Sequence, residues 1–330
     1  MKKFLILGSN SFAGSSFINE LLDSEEEVIG ISRSKEKKNC ILAYSQHRLK
    51  NKLFNFFKLD LNKNFDEICN IIKKFKPKFI IDFAAQSMVG ESWDWPEHWF
   101  KTNIISKAKL HNFLKNQDFL EKYIRISTPE IYGNTFKIIK VNSAYDPSTP
   151  YAVSQAAIDM SLKTFFKNYE FPVVFNRFAN FYGPYQQIYR IIPKTILSAH
   201  LKSKLPLHGG GKSKRSFIFH KDVSSAIIQS IKYGKLGESY HFSTNELISV
   251  SDLVNKICVK MNLNFDDLIE IAKDRMGKDE TYSIDFSKAK KEINWSPKFN
   301  LDQGIDLTMK WVHDNLPHLK KLPFHYIHKK

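Results

Sequence analysis

Cysteine is scarce in this chain of 330 residues, which has only Cys40, Cys69 and Cys258. Three widely spaced cysteines form neither a disulfide framework nor a Cys-x-x-Cys metal site, and they suit a reducing compartment. Long apolar runs are also missing, because no segment approaches the roughly 18 uninterrupted apolar residues of a membrane-spanning helix. The apolar run Phe4–Leu7 stops at Gly8, too early for a signal peptide. We therefore expect a cytoplasmic protein that does not contact membranes.

Acidic residues are also comparatively few, since 34 Asp and Glu face 50 Lys and Arg and leave a net charge of +16. The lysines are scattered and no basic run alternates with aromatic residues, so we expect no nucleic-acid partner. An anionic small substrate explains such a charge more simply. The eleven histidines include no His-Glu-x-x-His or comparable set of ligands, and we expect no metal site.

Apolar strands alternate with segments of helical periodicity up to about residue 176, starting with the strand Lys3–Leu7. This alternation predicts an α/β fold, with a Rossmann-type, doubly wound parallel sheet and ligands at the carboxyl ends of its strands. From about residue 180 the rhythm breaks, which indicates a smaller mixed α/β domain that binds the substrate. We predict a dinucleotide-binding domain over 1–176, to which 216–242 returns, and a substrate domain over 177–330.

A glycine-containing loop follows the first strand and opens the first helix. Its members Gly8, Ser11, Phe12 and Gly14 are spaced as in a dinucleotide-binding loop, where bare backbone and a helix N-terminus approach a pyrophosphate. Ser11 stands where a second glycine is usual. The pattern alone is weak, and an ordinary strand-turn-helix explains it equally well; its position after the first strand favours the cofactor site.

The ends of the second and third strands indicate which cofactor binds. The second ends in Ser32 and Arg33 and carries no carboxylate, which would repel a 2′-phosphate. We therefore expect NADP, with NAD as the alternative and a solvated surface role for Arg33 as the simpler explanation. Asp60 and Leu61 follow the third strand and are expected near the adenine, although an Asp there is also a common turn residue.

Three segments carry polar residues where a parallel sheet would bring them together. Thr128 and Glu130 follow a strand, Tyr151 and Gln155 open a helix after Pro150, and Asn180 follows the next strand. Each segment alone is compatible with a structural role. Their joint order and spacing are much harder to obtain by chance.

With these segments the chain resembles the extended short-chain dehydrogenases, and among them the nucleotide-sugar 4,6-dehydratases such as the GDP-mannose and dTDP-glucose enzymes. Four further motifs carry the resemblance over nearly the whole length. They are Ala84-Ala85-Gln86-Ser87, the Arg215-Ser216-Phe217-Ile218 segment with Asp222-Val223, Arg275-Met276-Gly277-Lys278-Asp279, and Trp295-Ser296-Pro297.

The resemblance implies a redox-neutral cycle on a nucleotide-diphosphate sugar, serving glycan precursor synthesis. Tyr151 would take the C4 hydroxyl proton, Thr128 would hold O4, Glu130 would remove the C5 proton, and Gln155 would contact the cofactor. It also implies that Ala84, Ala85 and Gln86 line the cofactor. Ser87, Thr128, Asn180, Arg215 and Arg275 would bind the substrate, and the helices near 97–116 and 151–168 would form a homodimer or a dimer of dimers.

Two positions depart from the family pattern. Gln155 replaces a lysine whose charge lowers the pKa of the tyrosine, so a lysine at 155 is expected to raise the rate of C4 oxidation at neutral pH. Pro129 replaces a residue able to protonate the leaving C6 hydroxyl, so Glu130 must carry that proton or dehydration does not occur. A 4-epimerase, a decarboxylase, and a relative that binds nucleotide sugars without turnover therefore stay open as alternatives.

Overall fold

A computed structural model of the protein describes residues 1–135, 137–273, 281 and 283–329. Its strands are β1 (Lys3–Leu7), β2 (Glu27–Ser32), β3 (Phe54–Lys58), β4 (Phe79–Asp82), β5 (Lys122–Ser127), β6 (Ile138–Ile139), β7 (Val173–Phe178), β8 (Asn180–Tyr182), β9 (Leu205–His208), β10 (Lys214–Arg215), β11 (Phe217–Phe219), β12 (Ser239–Phe242), β13 (Ile248–Ser249), β14 (Ile269–Ala272) and β15 (Ser283–Ile284).

Its α-helices are α1 (Phe12–Asp23), α2 (Lys50–Leu53), α3 (Phe65–Phe75), α4 (Pro96–Phe100), α5 (Lys107–Leu114), α6 (Pro150–Tyr169), α7 (Ile191–Leu201), α8 (His220–Tyr233), α9 (Val250–Lys260), α10 (Phe265–Leu268), α11 (Ser287–Ile293) and α12 (Leu301–Leu319). A π-helical segment, Lys101–Ser106, joins α4 to α5. None of the described helices is both long and apolar enough to cross a membrane.

Seven strands form one parallel sheet in the order β12-β7-β5-β4-β1-β2-β3. The chain builds outwards from β1 to β3, then crosses back to β4 and continues in the opposite direction. The order therefore reverses between β1 and β4, and a crevice opens outside their carboxyl ends, where such sheets bind ligands.

Both faces of the sheet are covered, which explains why its strands are apolar along their length rather than alternating. Phe4 and Ile6 of β1 belong to a core shared with α1, α8 and α11. Leu5 and Leu7, pointing the other way, belong to a core shared with α3, α5 and α6. Each buried side chain of this kind contributes roughly 1.5–3 kcal/mol, so the sheet is a rigid support for the groups at its edge.

A smaller mixed α/β part is built around α7, α9 and α12, whose apolar faces share a third core. Short strand pairs surround it, namely β8 with β11, β9 with β14 and β10 with β13. Between these pairs the chain returns through α8 to β12, which is an edge strand of the main sheet. The predicted α/β fold class, with a Rossmann-type parallel sheet and a smaller mixed part, is confirmed.

Candidate active site

The turn from β1 into α1 has room only for glycine at two points, Gly8 in the loop and Gly14 in the first turn of the helix. Gly8 has φ +78°, and a Cβ on it would lie 2.8 Å from the backbone nitrogen of Ala84. A Cβ on Gly14 would lie 2.6 Å from the carbonyl oxygen of Gly8. The backbone is therefore bare where α1 begins, and the helix N-terminus there suits an anionic group such as a pyrophosphate.

Ser11 replaces the middle glycine of this loop without strain. Its backbone is extended, with φ −71° and ψ 161°, a conformation that any residue adopts. Its Oγ accepts a hydrogen bond of 3.0 Å from the backbone nitrogen of Gly14 and so caps α1. The loop thus fits a dinucleotide, although its sequence has one glycine fewer than usual.

At the adenosine end of the expected site, the side chain of Arg33 lies between two neighbours. Its Nη2 donates to Gln86 Oε1 over 3.3 Å and its Nη1 to the carbonyl oxygen of Lys329 over 3.2 Å. Ser32 Oγ accepts from the backbone nitrogen of Asn10 over 2.9 Å. Burial lowers the pKa of Lys37 to about 8, and the positive charge of the nearby Lys329 contributes in the same direction.

Asp60 and Leu61 follow β3, as predicted from the sequence. Asp60 Oδ1 accepts a 2.8 Å hydrogen bond from the backbone nitrogen of Asn62, so this carboxylate also stabilises its own turn. Leu61 is buried against the α3 and α5 side of the sheet.

Asn103, which the sequence did not single out, ties the end of β4 to α6. Its side chain accepts from the backbone nitrogen of Gln86 over 2.9 Å and donates to that residue's carbonyl oxygen over 3.0 Å. It also donates to Ser154 Oγ over 2.9 Å. Asn103 is fully buried in the π-helical segment. This polar residue within an apolar helical pattern was the available signal, since π-bulges are frequent at functional sites.

Thr128, Glu130 and Tyr151 converge in one cleft of about 690 Å³. Burial raises the pKa of the Tyr151 phenol, and the Glu130 carboxylate raises it further. The hydrogen bond with the Thr128 side chain acts in the opposite direction, as do the positive charges of Arg125 and Arg190. Tyr151 sits in the first turn of α6, which Thr149 caps by accepting from the backbone nitrogen of Ala152 over 3.1 Å.

The same cleft brings together residues predicted for the cofactor, for catalysis and for the substrate. The predicted residues on its wall are Ser11, Phe12, Ala85, Ser87, Thr128, Glu130, Tyr151, Gln155, Asn180 and Arg215. The remaining predicted cofactor residues, which lie off this wall, are Gly8, Gly14, Ser32, Arg33, Asp60, Leu61, Ala84 and Gln86. Arg275 lies outside the described residues. The roles of all these residues stay predictions.

Pro129 begins a short 3₁₀ turn, Pro129–Tyr132, for which Thr128 is the capping residue. Thr128 Oγ accepts from the backbone nitrogen of Glu130 over 3.3 Å. A proline at the first position of such a turn loses no hydrogen bond, because its nitrogen would have no partner there. Pro129 therefore shapes the turn that carries Glu130, and it provides no proton donor.

Gln155 lies one helical turn after Tyr151 and is almost completely buried. Its Oε1 accepts a hydrogen bond of 2.5 Å from Nη2 of Arg125, a residue on β5. Among the described residues none accepts a hydrogen bond from its Nε2. Sequence reasoning missed Arg125, although an arginine in the apolar strand Lys122–Ser127 is itself an unusual signal.

Arg125 belongs to a buried network of charges beneath α6. Its Nε donates to Asp159 Oδ1 over 3.0 Å, and Arg177 Nη2 donates to Asp159 Oδ2 over 3.1 Å. Lys107 Nζ lies 2.6 Å from Asp82 Oδ2. Burial acts to raise the pKa of Asp82, but Lys107 and Arg125 outweigh it and hold that pKa below its usual value. Both carboxylates are thus paired with cations, as buried charges must be.

The cleft wall carries further cations, which come from the smaller part of the molecule. Arg190, Lys194 and Arg215 line the same cleft as Asn180 and Ser87. Arg190 and Lys194 belong to the start of α7 and were not predicted from the sequence. Cations at this position suit a diphosphate. Among the described residues, no three His, Cys, Asp or Glu side chains converge where they could hold a metal ion.

Two of the matched motifs have structural tasks away from the cleft. The Asp222 carboxylate accepts from the backbone nitrogens of Lys298 and Phe299 over 2.9 and 3.1 Å. Trp295 Nε1 donates to Ser225 Oγ over 3.0 Å. These bonds fasten the segment before α12 to α8, at the junction of the two parts of the molecule.

A Rossmann-type sheet with a dinucleotide loop, and a tyrosine at the start of α6 facing a threonine and a glutamate, together define an extended short-chain dehydrogenase. The family model described as GDP-mannose 4,6 dehydratase matches residues 5–308. The chain belongs to this family. The predicted family and enzyme class, a dehydratase acting on nucleotide sugars, are thereby confirmed.

The chain is 29% identical to a probable dTDP-glucose 4,6-dehydratase of Sinorhizobium fredii, over 95% of this chain and 93% of that protein. It is also 29% identical to the dTDP-glucose 4,6-dehydratase of Haemophilus influenzae, over 94% and 98%. Among solved structures, the dTDP-glucose 4,6-dehydratase of Bacillus anthracis in complex with NAD is 27% identical with a TM-score of 0.87, covering 97% of this chain and 99% of that one.

Proposed function

We propose that this protein converts a nucleotide-linked hexose into its 4-keto-6-deoxy derivative with loss of water. The observation that carries the proposal is the convergence of Thr128, Glu130 and Tyr151 in one cleft. Tyr151 is a base for the C4 hydroxyl, and Glu130 is a second base for a neighbouring carbon acid. A simple 4-epimerase needs only the first of these groups, so Glu130 favours dehydration.

The first step uses Tyr151 and Thr128. Tyr151 accepts the proton of the C4 hydroxyl, while Thr128 hydrogen-bonds O4 and orients it. A nicotinamide dinucleotide supplies, when bound, the hydride acceptor at C4 and the hydride donor at C6. The glycine loop fits its pyrophosphate, since a Cβ at Gly8 or Gly14 would fill the space where the backbone is bare.

The second step uses Glu130. The 4-ketone makes the C5 hydrogen acidic, and the Glu130 carboxylate removes it. Because Pro129 has no donor, we infer that Glu130 passes this proton to the departing C6 hydroxyl, which leaves as water. Hydride at C6 and a proton from solvent at C5 then complete the 4-keto-6-deoxy sugar, and Tyr151 returns its proton to solvent, so that the protons balance.

The three cations on the cleft wall that come from the smaller part of the molecule support a nucleotide diphosphate as the anionic part of the substrate. Arg190, Lys194 and Arg215 would pair with its phosphates, and Asn180 and Ser87 would bind the sugar. Arg275 is proposed for the same diphosphate on the strength of its motif alone. The names of the relatives support dTDP-glucose as the first compound to test.

We favour NADP as the cofactor, with NAD second. Arg33 directly follows β2, where no carboxylate stands, and Lys37 and Lys329 add positive charge at the adenosine end of the expected site. The related enzyme of Bacillus anthracis was solved with NAD, which keeps that cofactor in the comparison.

The test is to incubate the purified protein in D2O with dTDP-glucose, GDP-mannose and UDP-sugars and to determine the product masses by mass spectrometry. We expect the product to have lost one water and to have gained one deuterium, at C5. Glu130→Gln should slow water loss by about 10²–10⁴-fold while C4 oxidation persists. Glu91→Gln, another carboxylate on the cleft wall, is the matched control.

An unchanged mass with inversion at C4 would instead identify an epimerase, and loss of carbon dioxide a decarboxylase. The absence of any turnover with bound nucleotide sugar would identify a relative that only binds. Each of these outcomes rejects the dehydratase proposal.

The assembly and the division of labour are also proposals. Residues 1–176 with 216–242 would bind the dinucleotide, and 177–330 mainly the sugar nucleotide. The exposed apolar side chains Ile105, Val153 and Met160 lie on the helices near 97–116 and 151–168 and support a homodimer or dimer of dimers. We further propose a cytoplasmic location and no nucleic-acid or membrane partner.

A further inference from the structure

Gln155 occupies the position where the family has a charged lysine, yet it does not lie in a neutral environment. The Arg125 guanidinium donates to its Oε1, and both side chains are buried. Because Oε1 accepts the hydrogen bond from Arg125, the part of the amide still available for hydrogen bonding is Nε2 with its two N–H donors. Among the described residues these donors have no acceptor, and Gln155 lies on the wall of the cleft.

The charges around Arg125 leave an excess of positive charge under α6. Three cations, Lys107, Arg125 and Arg177, face two carboxylates, Asp82 and Asp159, and all five side chains are buried. The difference is one positive charge. Coulomb interactions are strong in such a water-poor region, and of these three cations Arg125 is the one that acts on Tyr151.

Several other titratable groups border the network and the phenol. Tyr123 and His111 face it from β5 and α5, Tyr132 and Tyr145 contact Arg177, His241 faces it from β12, and Lys163 lies on α6. Burial lowers the pKa values of His111 and His241 to about 3, so both rings are neutral at pH 7. The groups acting on Tyr151 itself are Glu130, Thr128, Arg125 and Arg190.

We propose that Arg125 and Gln155 share the work of the missing lysine: Arg125 supplies the positive charge beneath Tyr151, and Gln155 supplies the hydrogen bond to the cofactor's ribose. Arg125 is thus a positioning residue that also acts electrostatically, and it touches neither cofactor nor substrate. The proposal rests on the proposed redox function for the identity of the group that Gln155 binds.

The contact with Arg125 changes what a lysine at 155 should do. From the sequence alone, Gln155→Lys is expected to accelerate C4 oxidation, because it restores the charge of the family pattern. In this chain the new ammonium would be buried against the Arg125 guanidinium, and like charges at such a distance repel strongly. We therefore now expect Gln155→Lys to be slower than the native protein.

The test combines Arg125→Gln, Gln155→Lys and the double variant. Arg125→Gln should shift the pH profile of C4 oxidation to higher pH by about one unit and lower the rate on the order of tenfold at pH 7. The double variant should recover most of this rate, because it contains a single cation again. Gln155→Met should weaken dinucleotide binding and leave the phenol's titration nearly unchanged.

A direct reading of the phenol avoids dependence on any substrate. The ultraviolet difference between each variant and its Tyr151→Phe partner reports ionisation of Tyr151 alone. Arg177→Gln is the matched control, since Arg177 binds the same Asp159 but is not among the groups acting on Tyr151. It should lower stability without moving this titration.

An unshifted Tyr151 titration in Arg125→Gln would overturn the proposal, and so would a double variant no faster than either single variant. If no sugar nucleotide is dehydrated, the proposed function fails, but the titration result still stands. The two failures are therefore distinguishable.

A second inference concerns the segment Leu322–Lys329, which we call the strap. Phe324 packs on the core of the smaller part, next to α12. Tyr326 contacts Tyr189, with ring centroids 5.7 Å apart. His328 stacks on Trp95 and Trp99 at centroid distances of 4.8 and 5.2 Å. The strap therefore spans the cleft from the smaller part to the helix beside β4.

The strap meets predicted cofactor residues at the adenosine end. The carbonyl oxygen of Lys329 accepts from Gln86 Nε2 over 2.8 Å and from Arg33 over 3.2 Å. Lys329 Nζ donates to Ser34 Oγ over 2.9 Å. Phe324, His325 and Tyr326 also form part of the cleft wall.

We infer that the strap completes the dinucleotide site and retains the bound cofactor between turnovers. Under the proposed function the cofactor recovers its oxidised form in each cycle, so its release is unnecessary. A cofactor that stays bound would therefore not slow turnover. In this proposal the stacking of His328 on Trp95 and Trp99 holds the strap in place. The contacts of Lys329 with Arg33 and Gln86 then cover the adenosine end of the site.

The experiment measures the rate at which bound NADP or NAD leaves the native protein, His328→Ala and Ile327→Ala, after dilution into competing nucleotide. Ile327 is 55% exposed and is the matched control. His328→Ala should release the cofactor at least about tenfold faster, and Ile327→Ala at the native rate. Unchanged release in His328→Ala would overturn the inference. Slower release would also overturn it, because the strap would then compete with the cofactor.

Discussion

The two ends of the proposed dinucleotide site are constructed in different ways. At the nicotinamide end, Tyr151 and Gln155 rest on a buried network of charges that extends through β5 and α6. At the adenosine end, Arg33 and Gln86 are held by the strap, through surface contacts and stacked rings. Chemistry at the first end therefore depends on the packing of the whole sheet. We expect binding at the second end to depend on one segment, the strap, whose described residues pack on a core only through Leu322 and Phe324.

The largest expected effect separates catalysis from binding at the nicotinamide end. Tyr151→Phe removes the proposed base for the C4 hydroxyl, and we expect product formation to fall by about 10³-fold or more. Affinity for the nucleotide sugar and for the dinucleotide should stay within about twofold. Steady-state kinetics and equilibrium binding measure the two separately. Residual activity above a tenth of native would show that another group takes the proton.

The second prediction tests whether the charge network supports the fold. Asp159 pairs with Arg125 and Arg177 and accepts from Ser127 Oγ over 2.6 Å. Asp159→Asn leaves buried cations uncompensated and should lower the free energy of unfolding by about 3–5 kcal/mol. Asp314→Asn removes an exposed i,i+4 ion pair with Lys310 and should cost less than about 0.5 kcal/mol. Urea denaturation compares them, and equal losses would contradict the contrast between interior and surface.

The third prediction uses pH and the three histidines whose pKa values burial lowers to about 3, namely His111, His220 and His241. Their unfolded pKa is near 6.5, so the unfolded chain binds more protons between pH 6.5 and 3. The stability of the neutral rings is fully present above pH 6.5 and is lost as the pH falls. Each ring should cost about 2 kcal/mol at pH 5.

Unfolding free energies measured from pH 7 to pH 5 check this slope. Replacing His111 by Gln should make the curve flatter, because one of the three titrating rings is removed. Replacing the exposed His325 by Gln is the control and should leave the slope as it was. A slope that no buried histidine affects would assign the acid sensitivity to the carboxylates instead.

The sheet and the helix that carries Tyr151 could be predicted well from the sequence, for a physical reason. Parallel strands covered on both faces are apolar runs, and α6 begins at Pro150 and continues with apolar residues at helical spacing. The segments carrying Thr128, Tyr151 and Asn180 could be placed together, because strand ends of a parallel sheet share one edge.

The partner of Gln155 could not be predicted in this way. Arg125 was visible as a charge in an apolar strand, but which residue it meets depends on how α6 lies across β5 and β7. The strap was missed for another reason. In the segment 322–329 Phe324, Tyr326 and His328 alternate with more exposed residues, which suits an extended chain, but the pattern does not say which surface it crosses.

The smallest expected effect concerns the adenosine end and the choice of cofactor. Arg33→Ala removes a contact to the strap for both cofactors and, for NADP, a charge-assisted contact to the 2′-phosphate as well, so we expect it to weaken NADP binding about tenfold more than NAD binding. Isothermal titration with both dinucleotides measures the difference. Gln86→Ala is the useful companion, because it removes the other contact to the Lys329 carbonyl oxygen and should weaken both cofactors equally. If Arg33→Ala also weakens the binding of NADP and NAD equally, the arginine acts by holding the strap and does not bind the 2′-phosphate.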